Sequence, residues 1–179
     1  MKGKPIFIIL LVLLVIGVSV VGYFWLSRGV NRFNPESKLR IGDLAPDFSV
    51  QLLTGETFTL SDHRGTVVVL DFWATWCGPC VAKMPTVQAL SEQFADKAIF
   101  VGINVGESQN RVQAFIDEHT FTFPIGIDEN NYIHRNLFPS PGVPYMVVIN
   151  GDGVITATFL GGGGGMEEVY KNAILDALG

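Results

Sequence analysis

Two cysteines and three histidines are all that the 179 residues carry. So small a stock excludes a core stapled by several disulfides. It also excludes a four-ligand zinc site, because two further ligands are not in sight of the cysteine pair. Covalent haem fails as well, since Val81 and not a histidine follows the second cysteine, Cys80. Basic residues are scarce too. From Ile41 onward six Lys/Arg face sixteen Asp/Glu, a formal charge of −10. That balance argues against nucleic acid or an anionic membrane surface as a partner. No internal repeat is present, and Gly161 to Gly165 is the only low-complexity stretch.

Charge is missing altogether from Ile6 to Leu26, a run of 21 residues. At about 1.5 Å per residue it is long enough to cross a hydrocarbon core of about 30 Å. It exceeds the usual signal-peptide core of about 7–15 residues, and no clear small-x-small cleavage site follows it. It holds no cysteine, so a lipid-modified cysteine there is excluded. The expectation is an uncleaved membrane anchor, with a cleaved signal peptide as the alternative. Residues 1–5 then form a short tail, 6–26 the anchor, 27–40 a polar linker containing Pro35, and 41–179 one globular domain. Lys2 and Lys4 precede the span while Arg28 and Arg32 follow it, so basic residues alone do not orient it.

Within the domain, Ser49–Leu53 and Thr57–Leu60 flank the turn Thr54-Gly55-Glu56 and predict an N-terminal hairpin. Thr66 to Trp73 is an apolar run rich in β-branched residues and predicts a buried strand. Val81 to Ala95 has Met84, Val87, Leu90, Ser91 and Phe94 at helical spacing. Ala98 to Asn104 predicts the next strand, so the unit is a right-handed parallel crossover. Arg111–His119 predicts a short helix, and Pro124 confines any strand at Phe121–Ile127 to an edge. Asn130–Phe138 has room for one or two helical turns. Tyr145–Asn150 and Val154–Leu160 predict a hairpin across Gly151-Asp152-Gly153, and Met166–Leu178 an amphipathic helix.

The chemistry concentrates at Trp76-Cys77-Gly78-Pro79-Cys80, the junction of the central strand with its helix. A cysteine there meets unpaired N–H groups and the positive end of the helix dipole, which favour a thiolate. Cys80 lies one turn on and faces the same way, so the pair can close a small disulfide ring. Gly78 and Pro79 suit a helix start, where proline has no N–H to waste. Asp71 is an acid in a buried strand. Desolvation raises the pKa of such a group, so it can accept a proton near neutrality.

These residues resemble the thioredoxin superfamily, and more narrowly the membrane-anchored, extracytoplasmic thiol-disulfide oxidoreductases of the TlpA/ResA type. The carriers are Gly42-Asp43-Leu44-Ala45-Pro46-Asp47-Phe48, Leu70 to Cys80, Pro85, Ile103-Asn104-Val105-Gly106-Glu107-Ser108 and Gly142-Val143-Pro144-Tyr145. The resemblance covers residues 41–179. It implies an α/β thioredoxin-like fold with an N-terminal β-hairpin and, over Ala98–Asp128, a central insertion, preceded by one transmembrane helix. It implies that Cys77 is the exposed attacking thiol, Cys80 the buried resolving thiol and Asp71 the acid that handles protons. Pro144 matches a cis-proline against the disulfide, Val143 a backbone that pairs with peptide substrate, and Pro85 a helix-kinking proline. Trp76 is a candidate substrate contact. No cofactor is implied beyond the Cys77–Cys80 disulfide, and no metal.

Two departures stand out. Members serving cytochrome c maturation often carry an acid between the cysteines or one turn past the second, where this chain has Gly78 and Lys83. Plain thioredoxins place a lysine near the buried acid on the next strand, and Val101-Gly102-Ile103 offers none. Lys83 itself is read as a solvated residue, with favouring the Cys80 thiolate as the alternative. His63, His119 and His134 are read as surface residues, and the five glycines as a mobile loop. A peroxiredoxin-like peroxidase would need threonine three and proline seven residues before the cysteine; Ala74 and Leu70 stand there.

The expected function is therefore reduction of disulfides in extracytoplasmic proteins, with cytochrome c maturation as one setting. The N-terminus is expected in the cytoplasm and the domain outside, fed by a membrane thiol electron donor; this orientation comes from the resemblance. A disulfide-donating oxidant and a tethered peptide-binding or chaperone module are the alternatives.

Overall fold

The central run Val67–Trp73 (β3) is buried at every position because both faces of its sheet are covered. In a computed structural model, which describes residues 39–162 and 165–179, it is the middle of a five-stranded mixed sheet. The expected tail, anchor and most of the linker lie outside the described residues. Among the described residues no helix is long and apolar enough to cross a membrane.

The hairpin forms as expected. Ser49–Gln51 (β1) pairs antiparallel with Thr57–Thr59 (β2), placing Val50 opposite Phe58. A 3₁₀ turn, Leu60–His63, leads into β3. The helix Gly78–Gln93 (α1) follows, then Ala98–Val105 (β4), Gln109–Asp117 (α2) and Ile125–Asp128 (β5). Next come a π-helical turn, Ile133–Leu137, the strands Tyr145–Ile149 (β6) and Ile155–Leu160 (β7), and the helix Glu167–Leu178 (α3). The strand order is β5-β4-β3-β6-β7, with β3, β4 and β5 parallel and β6 and β7 antiparallel. The strand predicted beside Pro124 is indeed the edge strand β5.

Both parallel crossovers step in the same direction across the sheet, so right-handed connections place α1 and α2 on one face. The side chains agree. Alternate residues of β3 point the same way, and of these Asp71 meets Lys83 of α1 while Trp73 packs on Phe115 of α2. The opposite face holds Phe72 against Phe138 and Tyr145, with Phe48 of the hairpin region packed edge-on to Phe138. The hairpin crosses β5 closely enough that a Cβ on Gly126 would lie 2.8 Å from Val50 Cγ1. A glycine at 126 leaves room for the Val50 side chain there.

Burial selects the stripe Cys80, Lys83, Met84, Val87 and Leu90 on α1. These positions fall at i, i+3, i+4, i+7 and i+10, one face of a 3.6-residue helix. Lys83 is on that stripe, and its exposure is 4 %. The expectation of a solvated lysine is therefore overturned: helical phase puts it beneath Cys80, and an acid on the adjoining strand receives it.

Candidate active site

Helix α1 begins directly after Cys77, with Pro79 in its first turn, so Cys77 is the N-cap and its Sγ accepts from the Cys80 N–H at 3.2 Å. That is one of the donors a helix N-terminus leaves unpaired, here aimed at sulfur. Cys77 and Cys80 are joined by a disulfide. Pro85 lies within α1 and is exposed.

The peptide bond Val143–Pro144 is cis, and the Val143 carbonyl oxygen lies 3.7 Å from Cys77 Sγ. This loop corrects the expected exposure of Cys77. The residue is only 5 % accessible, because the Val143-Pro144 loop lies over it, while Cys80 is fully covered at 0 %. The two thiols thus differ in access, but narrowly. Beside them Trp76 is 65 % exposed, a large indole left on the surface next to the sulfur. Trp76 and Val143 line a cleft of about 410 Å³ together with Asn131 and Arg135.

Asp71 is buried against Lys83 of α1. Burial raises its pKa, and the charge and hydrogen bond of Lys83 work against that rise. The Lys83 Nζ to Asp71 Oδ1 distance is 2.5 Å, with both side chains almost wholly covered. The lysine absent from β4 is therefore supplied by the active-site helix. The start of the glycine loop closes this pocket. Gly161 N–H donates to the Pro144 carbonyl at 2.8 Å. A Cβ on Gly162 would sit 3.2 Å from Lys83 Cδ, 3.5 Å from Pro144 Cγ and 3.6 Å from Tyr170 Oη. At these two residues the loop packs over the Lys83–Asp71 pair.

Two supporting residues had no role in the sequence reading. Glu107 is buried at 6 %. It accepts from Thr75 N–H at 2.7 Å, Thr75 Oγ1 at 2.6 Å and Asn104 Nδ2 at 2.9 Å, and pairs with Arg111 Nε at 2.8 Å. It ties the β4–α2 turn to the segment entering Cys77. Burial alone would raise its pKa; the hydrogen bonds from Thr75 and Asn104, with the Arg111 charge, outweigh that and hold it below the ordinary value. Its local signals are its place in the segment Ile103–Ser108 and Arg111 four residues on, an i,i+4 partner.

His134 was expected at the surface and is instead buried at 6 %, packed on Phe72 in the π-helical turn. The Ser140 hydroxyl donates to the Gly142 carbonyl at 2.7 Å, so it accepts from His134 Nε2 at 2.8 Å. Burial lowers the histidine's pKa, helped by the Arg135 charge and opposed by the Asp128 charge and a hydrogen bond to Gly142. His134 therefore props the loop that carries Val143 and Pro144. His63 and His119 are half-buried, stacked on Phe58 and on Phe115 respectively.

Known proteins are similar to this chain. The family described as AhpC/TSA matches residues 41–158. Thioredoxin-like protein YneN of Bacillus subtilis is 41 % identical over 119 residues, covering 63 % of this chain and 68 % of YneN. Thiol-disulfide oxidoreductase ResA of Oceanobacillus iheyensis is 34 % identical over 156 residues, covering 83 % of this chain and 75 % of ResA. A Chlorobium tepidum structure described as a thiol:disulfide interchange protein DsbE superposes with a TM-score of 0.74 at 32 % identity, covering 79 % of this chain and 99 % of that one. The mixed sheet is thus a thioredoxin-like α/β fold, and it carries the Cys77–Cys80 disulfide. By sequence and by structure alike, the chain belongs to the AhpC/TSA family, among its thioredoxin-like thiol-disulfide oxidoreductases, enzymes that work through a redox-active disulfide.

Proposed function

We propose that the protein reduces disulfides in extracytoplasmic proteins, with Cys77 as nucleophile and Cys80 as resolving thiol. The observation that carries this reading is the unequal access of two bonded sulfurs at a helix N-terminus. Cys77 Sγ receives a backbone N–H and the residue keeps 5 % accessibility beside Trp76, which lines an open cleft, whereas Cys80 has no access at all. The helix terminus stabilises a thiolate on Cys77, which attacks a substrate disulfide and forms a mixed disulfide. Cys80 then attacks Cys77 Sγ and Asp71 takes the Cys80 proton, while the substrate sulfur leaves as a thiolate and is protonated from solvent. The substrate chain lies across Trp76 and pairs through its backbone with Val143.

The reducing direction is favoured by Gly78-Pro79 between the cysteines, the thioredoxin pairing. The uncharged run 6–26 supports a single membrane anchor with the domain outside the cytoplasm, and a membrane thiol carrier would then return electrons to the disulfide. ResA homology favours cytochrome c maturation as one setting, although Gly78 and Lys83 depart from the acids expected there.

Replacing Cys80 by serine in cells tests the assignment. Mixed disulfides through Cys77 should accumulate, and Cys77→Ser should abolish both these adducts and activity. Retention of cellular function in Cys77→Ser would overturn the enzyme reading in favour of a peptide-binding module. A redox titration of the pair decides direction: a potential near that of thioredoxin, about −270 mV, supports a reductase, and one near −120 mV makes the protein a disulfide donor.

A further inference from the structure

The cleft bounded by Trp76 and Val143 holds a charge that the exchange chemistry does not use. Given the reductase reading above, on which this rests, we propose that Arg135 selects substrates: it pairs with an acidic side chain that a polypeptide carries close to its disulfide.

Arg135, Trp76 and Val143 line one cleft of about 410 Å³, so the cleft continues the surface already assigned to substrate. Asn131, His134 and Ser140 also line it, and no Asp or Glu does. Burial lowers the pKa of His134, whereas a guanidinium stays charged at any ordinary pH, so Arg135 is the standing charge of the cleft. Its sign runs against the domain, where six Lys/Arg face sixteen Asp/Glu. Lys83, Arg111 and Lys171 meet carboxylates within the chain, and Arg135 meets none among the described residues. A guanidinium with its fork free matches a carboxylate through two parallel hydrogen bonds.

Arg135 is exposed, but the backbone beneath it is held. It sits in the π-helical turn Ile133–Leu137, where Ile133, His134 and Leu137 are buried. Its N–H donates to the Asn131 carbonyl at 3.2 Å, and the His134 N–H donates to Asp128 Oδ2 at 2.9 Å. The same turn reaches the Val143 loop through His134 Nε2, the Ser140 hydroxyl and the Gly142 carbonyl. The cation and the backbone proposed to pair with substrate thus share one support, and contacts set in advance cost less ordering on binding. The negative field of the domain repels acidic proteins at long range. The feature recognised is therefore a single carboxylate near the disulfide, not an acidic surface.

The test mixes reduced full-length protein with short peptides, each closed by a disulfide, and follows the appearance of peptide thiol in a single turnover. Glu, Gln or Lys is placed in turn at successive positions on either side of a cysteine. The quantity read is the ratio of rate constants for the Glu and Gln peptides, in which any change of overall rate cancels. At one position at least, Glu should be favoured about two- to fivefold, the worth of an exposed ion pair, and Lys should be disfavoured. Arg135→Gln should abolish the preference, Arg135→Glu should invert it, and added salt should shrink it in wild type. A structural role for Arg135 would slow all peptides alike and leave the ratio. Equal rates for Glu and Gln at every position in wild type, or a preference that survives in Arg135→Gln, overturns the proposal. If wild type reduces none of the peptides, the reductase reading fails, which is a distinct result. The charge preference is then read from binding, by NMR titration of the Trp76 indole N–H in Cys77→Ser with the same peptides. Tighter binding of a Glu peptide that Arg135→Gln abolishes supports the proposal, and equal binding overturns it.

Discussion

Truncating Glu107 should loosen the approach to Cys77 more than its distance in sequence suggests. In Glu107→Ala the Thr75 N–H and the Asn104 amide lose their acceptor inside the protein. Each stranded buried donor costs about 1–3 kcal/mol, so the variant should lose about 4 kcal/mol of stability. Arg111 adds little to this, because its side chain is 63 % exposed and such pairs are worth about 0–1 kcal/mol. Glu107→Gln keeps an acceptor but not the charge. Bonds to a charged acceptor exceed neutral ones by about 1 kcal/mol each, so the loss should be about 2–3 kcal/mol. The assay is urea unfolding of the full-length protein with an unchanged slope, alongside amide exchange at Thr75. The folded-state pKa of Glu107 lies below its ordinary value of 4.5. Its contribution is therefore fully present above about pH 4.5 and fades as pH falls through the depressed folded-state value. Arg111→Ala should cost less than about 1 kcal/mol. A loss under about 1 kcal/mol in Glu107→Ala, or equal losses in Glu107→Ala and Arg111→Ala, would refute the strut.

Two further substitutions follow from burial. Trp76→Ala should leave stability within about 0.5 kcal/mol, because the ring is mostly in water, yet raise KM for a protein disulfide about tenfold if the indole is the substrate platform. An unchanged KM by steady-state assay would remove Trp76 from that role. Tyr170→Phe deletes a buried hydroxyl that has no partner among the described residues, so stability should hold or rise by about 1 kcal/mol. A clear fall in thermal midpoint would mean that the hydroxyl is satisfied in solution.

Local sequence is enough to specify the strand–turn–helix that presents Cys77 and Cys80, because each part has a local cause. The β-branched run Val67–Val69 makes a buried strand, Gly78-Pro79 starts a helix, and a three-residue spacing brings two thiols to one face. The terminal hairpin, the edge strand beyond Pro124 and the burial of Asp71 are local in the same sense. Lys83 was half legible: its helical phase with Cys80 and Met84 marked the buried stripe, but its charge argued for water. Only the fold decided between them, because Asp71, twelve residues earlier, lies on the strand that α1 covers. Glu107 reaches back 32 residues to Thr75. Val143 comes from 66 residues beyond Cys77 to screen it, and His134 is buried because Phe72 of the sheet lies under its ring. Each of these is a polar or shielding contact between elements brought together by sheet order, and helical or strand periodicity carries no information about a partner on another element.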